Sequence, residues 1–209
     1  MFYDTRKKGD HGLPHDPFKA IVAPRPIGWI TSLSAAGEIN LAPYSWFNGV
    51  SSRPPMVMFS SEERKDSLTF IEETKEFVCN FATFALREEV NQTSAPFPRG
   101  VNEMEKSGLK PAPSVLVKPP RVAASPCALE CKWVQTVSLT DHEGRPTDRH
   151  VVFGQVIGIY IDETFIRDGM LDTGAMRPIL RAGYHDYYSA TPELRFAMKR
   201  PAGGGGMQG

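Results

Sequence analysis

The stretch HVVFGQVIGIYI, residues 150–161, is the strongest strand signal in the chain. Alternate residues share one face of an extended strand, and here both faces are apolar: Val151, Phe153, Ile157, Ile159 and Ile161 on one, and Val152, Gly154, Val156, Gly158 and Tyr160 on the other. Such a strand is expected to lie deep in a sheet. Gly154 and Gly158 within it predict a bend, or the close approach of another backbone, as in a barrel wall.

Five further strands are predicted from the same kind of pattern, at residues 26–34, 38–45, 54–61, 76–83 and 128–139. The first two flank a short turn, Ala35 to Gly37, and are expected to form a hairpin. The polar sequence TDHEGRPTDRH, residues 140–150, predicts a hairpin loop after the last of the five. The 18 glycines and 18 prolines also favour a turn-rich β fold over a helical bundle. The chain is therefore predicted to be mainly β.

Three short helices are predicted at the periphery of this sheet, at residues 65–76, 85–94 and 101–109. In the first helix, Asp66 or Ser67 is expected to cap the N-terminus, while Leu68 and Ile71 supply an apolar face. One domain is expected over residues 17–200. It is preceded by an N-terminal arm, 1–16, and followed by a flexible Gly-rich tail, 201–209.

The overall composition narrows the classes of partner. Lys plus Arg and Asp plus Glu both number 24 in 209 residues, so the formal net charge is zero and no basic surface is predicted for nucleic acid or an anionic membrane. No apolar run approaches the roughly 20 residues of a membrane-spanning helix, and the first residues, MFYDTRKKGDHG, lack the apolar centre of a signal peptide. We therefore expect a cytoplasmic protein that binds small molecules or other proteins.

Cysteine spacing does not predict a metal site. Cys79, Cys127 and Cys131 are too few for a disulfide framework, and no second pair of Cys or His residues accompanies the last two at a ligand-like distance. We interpret these cysteines as packing residues in a reducing compartment.

The chain also lacks the usual catalytic motifs. It contains no GxSxG elbow, HExxH helix or Walker loop, and no GxGxxG follows a predicted strand. If the protein is an enzyme, its chemistry is therefore expected to come from a cofactor. The segment NLAPYSWFNGVSS, residues 40–52, is uncharged yet rich in Ser, Asn and aromatic residues, which suits the polar edge and apolar faces of a planar heteroaromatic ring.

A phosphate tail on such a ligand would need hydroxyl and amide donors, a helix N-terminus and a cation. The candidates are Thr31, Ser32, Lys65, Asp66 and Ser67. Thr31 and Ser32 lie on the predicted strand 26–34, which is expected to pair with strand 38–45 at the start of the 40–52 segment. Residues 65–67 begin the first predicted helix. All five residues are therefore expected at one mouth of a barrel. These residues also have a structural interpretation, because strand hydroxyls commonly bond neighbouring backbone groups and a helix must begin somewhere.

Two blocks of sequence, in this order, carry a resemblance to a known family. APRPIGWITSLSAAGEINLAPYSWFNGVSSRPPMVMFS, 23–60, and KDSLTFIEETKEFVCNF, 65–81, closely resemble the flavin reductase-like family of FMN-binding split barrels, which includes flavoredoxin and the reductase components of two-component monooxygenases. HVVFGQVIGIYIDE, 150–163, and LRAGYHDYYS, 180–189, extend the resemblance over most of the chain. It implies a six-stranded antiparallel Greek-key split β-barrel with a few short peripheral helices, which forms a homodimer and holds FMN at or near the subunit interface.

The resemblance also implies roles for individual residues. Contacts to the phosphate or ribityl chain are expected from Thr31, Ser32, Lys65 and Ser67, and Asp66 beside them is expected to contact the cofactor. Contacts to the isoalloxazine edge are expected from Ala42, Pro43, Tyr44, Ser45, Asn48 and Ser51. The side on which nicotinamide or substrate would stack is assigned to His150, the catalytic candidate, and to Tyr184 and His185. Arg181, a cation in the same late segment, is a candidate contact for a dinucleotide phosphate. These four also suit a strand end, an ion pair or a subunit contact.

Two functions follow from the resemblance. The leading one is an FMN-dependent oxidoreductase in which NAD(P)H donates hydride to the flavin, and the reduced flavin passes electrons to an acceptor or to free flavin. The alternative is a non-enzymatic FMN-binding electron-transfer protein that works with an electron-acceptor protein. A dimeric barrel that uses the same cleft for another ligand, or for none, also stays open.

Overall fold

The structure, a computed structural model, describes residues 1–7, 9 and 11–201. Its main sheet has seven antiparallel strands: β1 (Gly28–Leu33), β2 (Ile39–Tyr44), β3 (Phe47–Ser52), β4 (Pro55–Glu62), β5 (Glu76–Phe81), β6 (Cys127–Thr140) and β7 (Pro146–Ile161). Their order across the sheet is β2-β1-β5-β6-β7-β4-β3. The prediction of a mainly β, antiparallel fold is confirmed, with one strand more in the main sheet than the six predicted.

The sheet curls so that its two edge strands, β2 and β3, face each other across a seam. They are consecutive in the chain, joined by Ser45 and Trp46, and the Trp46 carbonyl accepts a hydrogen bond of 2.8 Å from the Ser60 amide of β4. Side chains fill the seam: the Phe47 ring lies over Gly28, where an added Cβ would come within 2.5 Å of a ring carbon. The sheet therefore forms a barrel that is open along one line.

The strand that the sequence did not reveal is β3. Its residues are largely exposed and four of its six are Ser, Asn or Gly, so the apolar alternation that identifies a half-buried strand is missing. Main-chain pairing with β4, interrupted by a register shift between Gly49 and Ser51, holds it in the sheet. An edge strand of this kind is stabilised by ladder hydrogen bonds more than by burial, which leaves little trace in sequence.

The long ribbon of β6 and β7 corrects two predictions. The predicted loop over 140–150 is mostly strand, because the polar residues lie on a ribbon that projects into solvent and the turn occupies only residues 141–145. One face of β7, not both, lies in the core: His150, Val152, Gly154 and Val156 are buried, whereas Val151 and Phe153 on the other face are partly exposed. The apolar outer face makes the strand look deeper in sequence than it is.

Large apolar side chains fill the barrel. Phe59, Phe77, Ile30, Leu68 and Ile71 are fully buried, and the rings of Phe59 and Phe77 meet edge to face with centroids 5.9 Å apart. The cysteines agree with the packing interpretation, since all three are buried and unpaired. Burial raises the pKa of the Cys79 thiol well above its ordinary value.

The helices are short and lie outside the sheet: α1 (Phe18–Ile21), α2 (Asp66–Thr74), α3 (Arg87–Gln92), α4 (Glu103–Lys106) and α5 (Thr173–Met176), with 3₁₀ turns at Phe84–Leu86, Glu163–Phe165 and Pro192–Leu194. The N-cap of α2 is Lys65, and no side chain caps it, so the predicted cap at Asp66 or Ser67 is wrong. Ser67 lies inside the first turn of the helix, and its hydroxyl accepts a hydrogen bond from the Asn40 side chain.

A second sheet of three short strands, Arg25–Pro26, Ile179–Arg181 and Tyr187–Ser189, lies next to the main one. The pairs Pro111–Ala112 with Arg121–Val122, and Ile166–Arg167 with Met170–Leu171, form two small ribbons. The described part of the predicted N-terminal arm contains no helix or strand. Of the predicted Gly-rich tail, all but Pro201 lies outside the described residues.

Candidate functional site

A cavity of about 400 Å³ opens between β2, the start of α2 and the segment that leads from α3 to α4. Its size lies within the range of small-molecule sites, roughly 300 to 1,000 Å³. The lining mixes apolar surface with hydroxyl, amide and charged groups: Asn40, Ala42, Pro43, Tyr44, Lys65, Asp66, Ser67, Thr93, Ser94, Ala95, Pro96, Phe97, Arg99 and Glu103. A ligand with a planar apolar body and a polar or anionic end fits this donor set.

A buried polar network joins β2 to the first turn of α2. The side-chain amide of Asn40 donates to the Ser67 hydroxyl at 2.7 Å and to the Ser32 hydroxyl at 3.4 Å. All three side chains are buried, so their mutual hydrogen bonds satisfy groups that would otherwise be costly to bury. The network fixes the helix start against the strand that lines the cavity.

The Tyr44 hydroxyl stands beside this network. Burial raises the pKa of Tyr44, and the hydroxyls of Ser67 and Ser61 offset part of that rise by hydrogen bonding. Tyr44 also packs against Phe59 of the core, with ring centroids 4.6 Å apart. A neutral phenol held in this way offers an aromatic wall and a hydroxyl without a charge.

The start of α2 gives the cavity its positive end. Because no side chain caps this nine-residue helix, the amide groups of its first turn stay available to a ligand and carry the positive end of the helix dipole. Lys65 adds a cation at the N-cap position. Asp66, the first helical residue, is a carboxylate paired with Arg99, whose Nε lies 2.7 Å from an Asp66 carboxylate oxygen.

The opposite wall is the segment 93–99. Thr93, which is buried, accepts a hydrogen bond of 2.9 Å from the indole nitrogen of Trp29 and donates to the Val90 carbonyl. Trp29 itself lies on β1 and is fully buried, so this bond fixes the beginning of the segment to the barrel. The wall is therefore anchored through a side chain from a distant part of the sequence.

Glu103 of α4 closes the floor of the cavity. Its carboxylate accepts a hydrogen bond of 2.9 Å from the Leu41 amide, which ties α4 to the cavity strand β2. Burial raises the pKa of Glu103; the Leu41 hydrogen bond opposes this effect and the nearby negative charge of Asp66 adds to it. A raised pKa is frequent among titratable residues of functional sites. A buried carboxyl group that only joins two structural elements by a hydrogen bond also has a raised pKa.

The structure brings six of the eleven predicted cofactor residues to one cavity: Ala42, Pro43, Tyr44, Lys65, Asp66 and Ser67. Two more lie behind it, fully buried: Thr31 accepts from the Asn80 amide at 2.8 Å, and Ser32 touches the cavity only through Asn40. Ser45, Asn48 and Ser51 do not line it. Asn48 and Ser51 belong to the edge strand β3, where each accepts a hydrogen bond from a nearby backbone amide.

The residues predicted for the nicotinamide side do not line this cavity. His150 is buried on β7, opposite Ser61, with its Nδ1 at 3.1 Å from the Ser138 hydroxyl. Arg181 donates to the carbonyls of Tyr184 and Asp186, and Tyr184 and His185 are exposed. The assignment of these four residues to a donor side therefore stays a prediction.

Of the fourteen residues that line the cavity, eight are not among the predicted contacts: Asn40, residues 93–97, Arg99 and Glu103. Residues 93–100, TSAPFPRG, are uncharged except for Arg99 and rich in hydroxyls and prolines. That composition is the same signal that distinguishes residues 40–52. The local pattern indicates only the end of a helix, because nothing in the sequence shows that the segment returns to β2.

The barrel with an open seam and the mixed cavity at its mouth have the architecture of a split-barrel protein. Residues 22–179, more than half of the chain, match the family model of the flavin reductase like domain. The chain therefore belongs to the flavin reductase-like family, which confirms the resemblance seen in the sequence. Arg181, Tyr184 and His185 fall outside the matched residues.

Known proteins agree with this membership. The chain is 36% identical over 181 residues to an uncharacterized protein of Aquifex aeolicus (strain VF5), an alignment that covers 84% of this chain and 89% of that one. Among solved structures, nitrilotriacetate monooxygenase component B from Bacillus cereus superposes with a TM-score of 0.84 at 25% identity, over 94% of this chain and 98% of that chain. The 2-nitrobenzoate 2-nitroreductase NbaA of Pseudomonas fluorescens superposes with a TM-score of 0.77 at 29% identity, over 89% and 92% of the two chains.

The described residues contain neither a membrane-spanning helix nor a cluster of metal ligands. None of their helices is long and apolar enough to span a bilayer. Within the same residues, no group of three or more His, Cys, Asp and Glu side chains is arranged to hold a metal ion.

Proposed function

We propose that the protein is an FMN-dependent oxidoreductase of the flavin reductase type, which takes hydride from NAD(P)H. The observation that carries the proposal is the cavity that combines residues 42–44 with residues 65–67, in a chain of the flavin reductase-like family. The sequence predicts contacts to FMN from both segments, to the ring from the first and to the phosphate or ribityl chain from the second. Their meeting in one cavity is what a flavin site requires.

The donor set suits the two ends of FMN. The apolar and aromatic surface of Ala42, Pro43 and Tyr44 suits a planar ring, while the backbone of β2 beside it offers main-chain groups to the ring's polar edge. Lys65 and the uncapped first turn of α2 suit a phosphate, because both concentrate positive charge without closing the cavity. Ser32 contributes through the hydrogen-bonded network behind the wall, whereas Thr31, which is bonded to Asn80, does not line the cavity.

When bound, the flavin supplies the redox chemistry, in which a hydride arrives from NAD(P)H and the electrons leave to an acceptor or to free flavin. The chain's task is to hold the ring with one face open, since hydride transfer needs reacting atoms held about 3 to 3.5 Å apart more than it needs an acid or base. Buried hydroxyls and amides along β2 and α2 fix the wall that positions the ring. Because the flavin would supply the redox chemistry and the chain would only position the ring, no catalytic triad is needed.

The donor side is proposed to include His150, Arg181, Tyr184 and His185. The support is their chemistry: Arg181 is a cation suited to a dinucleotide phosphate, and exposed Tyr and His rings suit stacking. None of them lines the cavity of the isolated chain. Their participation therefore depends on a donor that reaches beyond the cavity, or on a second subunit.

A homodimer is part of the proposal. The outer face of the β6–β7 ribbon displays Val137 and Leu139, with 39% and 38% of their surface exposed, next to the partly exposed Val151 and Phe153. A contiguous apolar surface on a sheet is typical of a subunit contact.

The three unpaired cysteines also suit the reducing conditions of the cytoplasm.

The proposal is tested by anaerobic reduction. Purified protein is supplied with FMN and mixed anaerobically with NADH or with NADPH while the absorbance of the oxidised flavin is followed. Rapid bleaching with either nucleotide is the expected result. Binding of FMN, tight or exchangeable, without bleaching would instead support an electron-transfer protein. Failure to bind FMN in a fluorescence titration would rule out both.

A further inference from the structure

We propose that the chain carries a second small-molecule site, which binds a monocyclic aromatic carboxylate. The site is a cavity of about 320 Å³ between α3 and the edge strand Tyr187–Ser189 of the second sheet, and we call it the aromatic cavity. It shares no lining residue with the cavity that residues 42–44 and 65–67 line, the flavin cavity. The inference goes beyond the proposed function and does not depend on it.

Backbone hydrogen bonds fix the walls of the aromatic cavity relative to each other. The Phe84 amide donates to the Arg177 carbonyl at 2.9 Å, and the Ile179 amide donates to the Ala82 carbonyl at 3.0 Å. These two bonds tie the chain that enters α3 to the central strand of the second sheet, with which the edge strand is paired. The cavity is therefore formed by the fold itself, as small-molecule sites usually are.

Aromatic side chains give this cavity its apolar surface. The rings of Phe84, Tyr187 and Tyr188 line it, and all three side chains are exposed. Ile179, which is buried, adds apolar surface beside them. Aromatic rings that are open to solvent bind a further planar ring by offset stacking or by edge contact. The volume lies at the lower end of the range for small-molecule sites, roughly 300 to 1,000 Å³, so a single ring fits better than a flavin.

Arg87 supplies a cation whose orientation is fixed. Its guanidinium lies over the Phe84 ring, 4.4 Å from the ring centre, and its Nη1 donates to the Phe84 carbonyl at 2.9 Å. Its Nε lies 3.4 Å from a Glu88 carboxylate oxygen, which is longer than a typical hydrogen bond. Its Nη2 donates to no acceptor among the described residues and can bind a ligand carboxylate. Glu88 also lines the cavity, and its charge disfavours a doubly charged ligand such as a phosphate.

Two neutral polar groups line the same cavity. Asn91 lies four residues after Arg87, so that both side chains are on one face of α3. The Ser189 Oγ is buried and has no hydrogen-bond partner within the described part of the chain. Because a buried hydroxyl without a partner is costly, a ligand oxygen within reach of Ser189 would be bound. A cation, an amide and a hydroxyl beside aromatic rings are the groups that recognise an aromatic carboxylate.

The test uses benzoate as the probe, with the full chain and with FMN in excess so that flavin occupies its own cavity. Benzamide, which lacks the charge, and cyclohexanecarboxylate, which lacks the aromatic ring, are the comparison ligands. Isothermal titration calorimetry gives the dissociation constants for the wild type and for the variants Arg87→Gln and Tyr188→Leu. Arg149→Gln is the matched control, because the Arg149 and Arg87 side chains are 45% and 47% exposed, each lies near one glutamate, and Arg149 lines neither cavity.

We expect the wild type to bind benzoate with a dissociation constant below about 5 mM, which is within the binding energy available to so small a ligand. Arg87→Gln should weaken benzoate binding by about tenfold or more, and benzamide should bind the wild type more weakly than benzoate by a similar factor. Tyr188→Leu, or the use of cyclohexanecarboxylate, should weaken binding by about two- to tenfold, because stacking is lost. Arg149→Gln should stay within about twofold of the wild type.

Three results would overturn the inference. Benzoate that does not bind at concentrations up to about 5 mM leaves no aromatic carboxylate site. Equal affinities in the wild type and Arg87→Gln, or an equal loss in Arg149→Gln, would show that Arg87 does not bind the carboxylate. A benzoate constant that rises in proportion to the FMN concentration would place the probe in the flavin cavity. None of these results bears on the flavin function, which reduction by NAD(P)H tests separately.

Discussion

Gly154 lies on the core face of β7 at the point where the Phe77 ring crosses the strand. A Cβ added at Gly154 would stand 2.2 Å from one Phe77 ring carbon and 2.5 Å from another, whereas carbon atoms in contact lie about 3.5 to 4.0 Å apart. Phe77 is fully buried and packs against Phe59, so its ring cannot turn out to solvent. The change Gly154→Ala should therefore destabilise the barrel.

The magnitude follows from two opposing effects. Relieving the clash requires the Phe77 ring or the strand to move by more than about 1 Å, and overpacking of this kind costs about 1 to 3 kcal/mol. Alanine also lowers the conformational entropy of the unfolded chain, which returns about 0.4 to 1 kcal/mol. We expect a net loss of about 1 to 2 kcal/mol in the free energy of unfolding, or roughly 2 to 8 °C in Tm for a domain of this size.

The matched control is Gly49→Ala on β3. Neither glycine has a positive φ, and a Cβ at Gly49 would meet only one atom within 4 Å, the Met56 carbonyl oxygen at 3.9 Å. Gly49→Ala should therefore leave Tm unchanged or raise it slightly. Urea unfolding and calorimetry of both variants provide the comparison. Equal stability of Gly154→Ala and Gly49→Ala would refute the view that the Phe77 ring needs a glycine beneath it.

Three further predictions concern the cavity. Lys65→Ala should weaken FMN binding by about ten- to a hundredfold, because it removes a cation from the end of the cavity that is proposed to hold the phosphate. Lys65 is exposed, so Tm should change by no more than about 2 °C. Unchanged affinity in a fluorescence titration would show that Lys65 does not contact the ligand. Thr93→Val should leave the buried Trp29 indole N–H without an acceptor and lower the free energy of unfolding by about 1 to 3 kcal/mol, whereas Thr93→Ser keeps the hydroxyl and the bond. If urea unfolding shows Thr93→Ser to be the less stable variant, this hydrogen bond does not stabilise the fold. Burial raises the pKa of Glu103 in the folded state, so protonation of Glu103 stabilises the fold fully at pH below its unfolded-state pKa, and this stabilisation is lost as pH rises through the folded-state pKa. Glu103→Gln should therefore reduce the fall in the free energy of unfolding over that pH range. A pH profile of stability that is the same in the variant and the wild type would contradict this.

Local patterns identify most of the sheet and the two segments of the site that are continuous in sequence. Six strands carry apolar residues at the spacing of two that burial on one face requires, and that spacing predicts them. β3 escapes prediction because backbone pairing with β4, not side-chain burial, keeps it in place. The polar ends of β6 and β7 escape it for a similar reason, since strands that project into solvent need no apolar face.

The sequence by itself determined the class of the protein, an antiparallel β fold of the flavin reductase-like family. It also predicted ligand contacts from residues 42–45 and 65–67. Only the tertiary structure decided what stands opposite that wall. The 93–99 segment, Arg99 and Glu103 reach the cavity because Trp29 holds Thr93 and because Leu41 holds Glu103, through hydrogen bonds that join residues more than 60 positions apart. Such contacts depend on how the barrel closes, and no local pattern of residues records the closure.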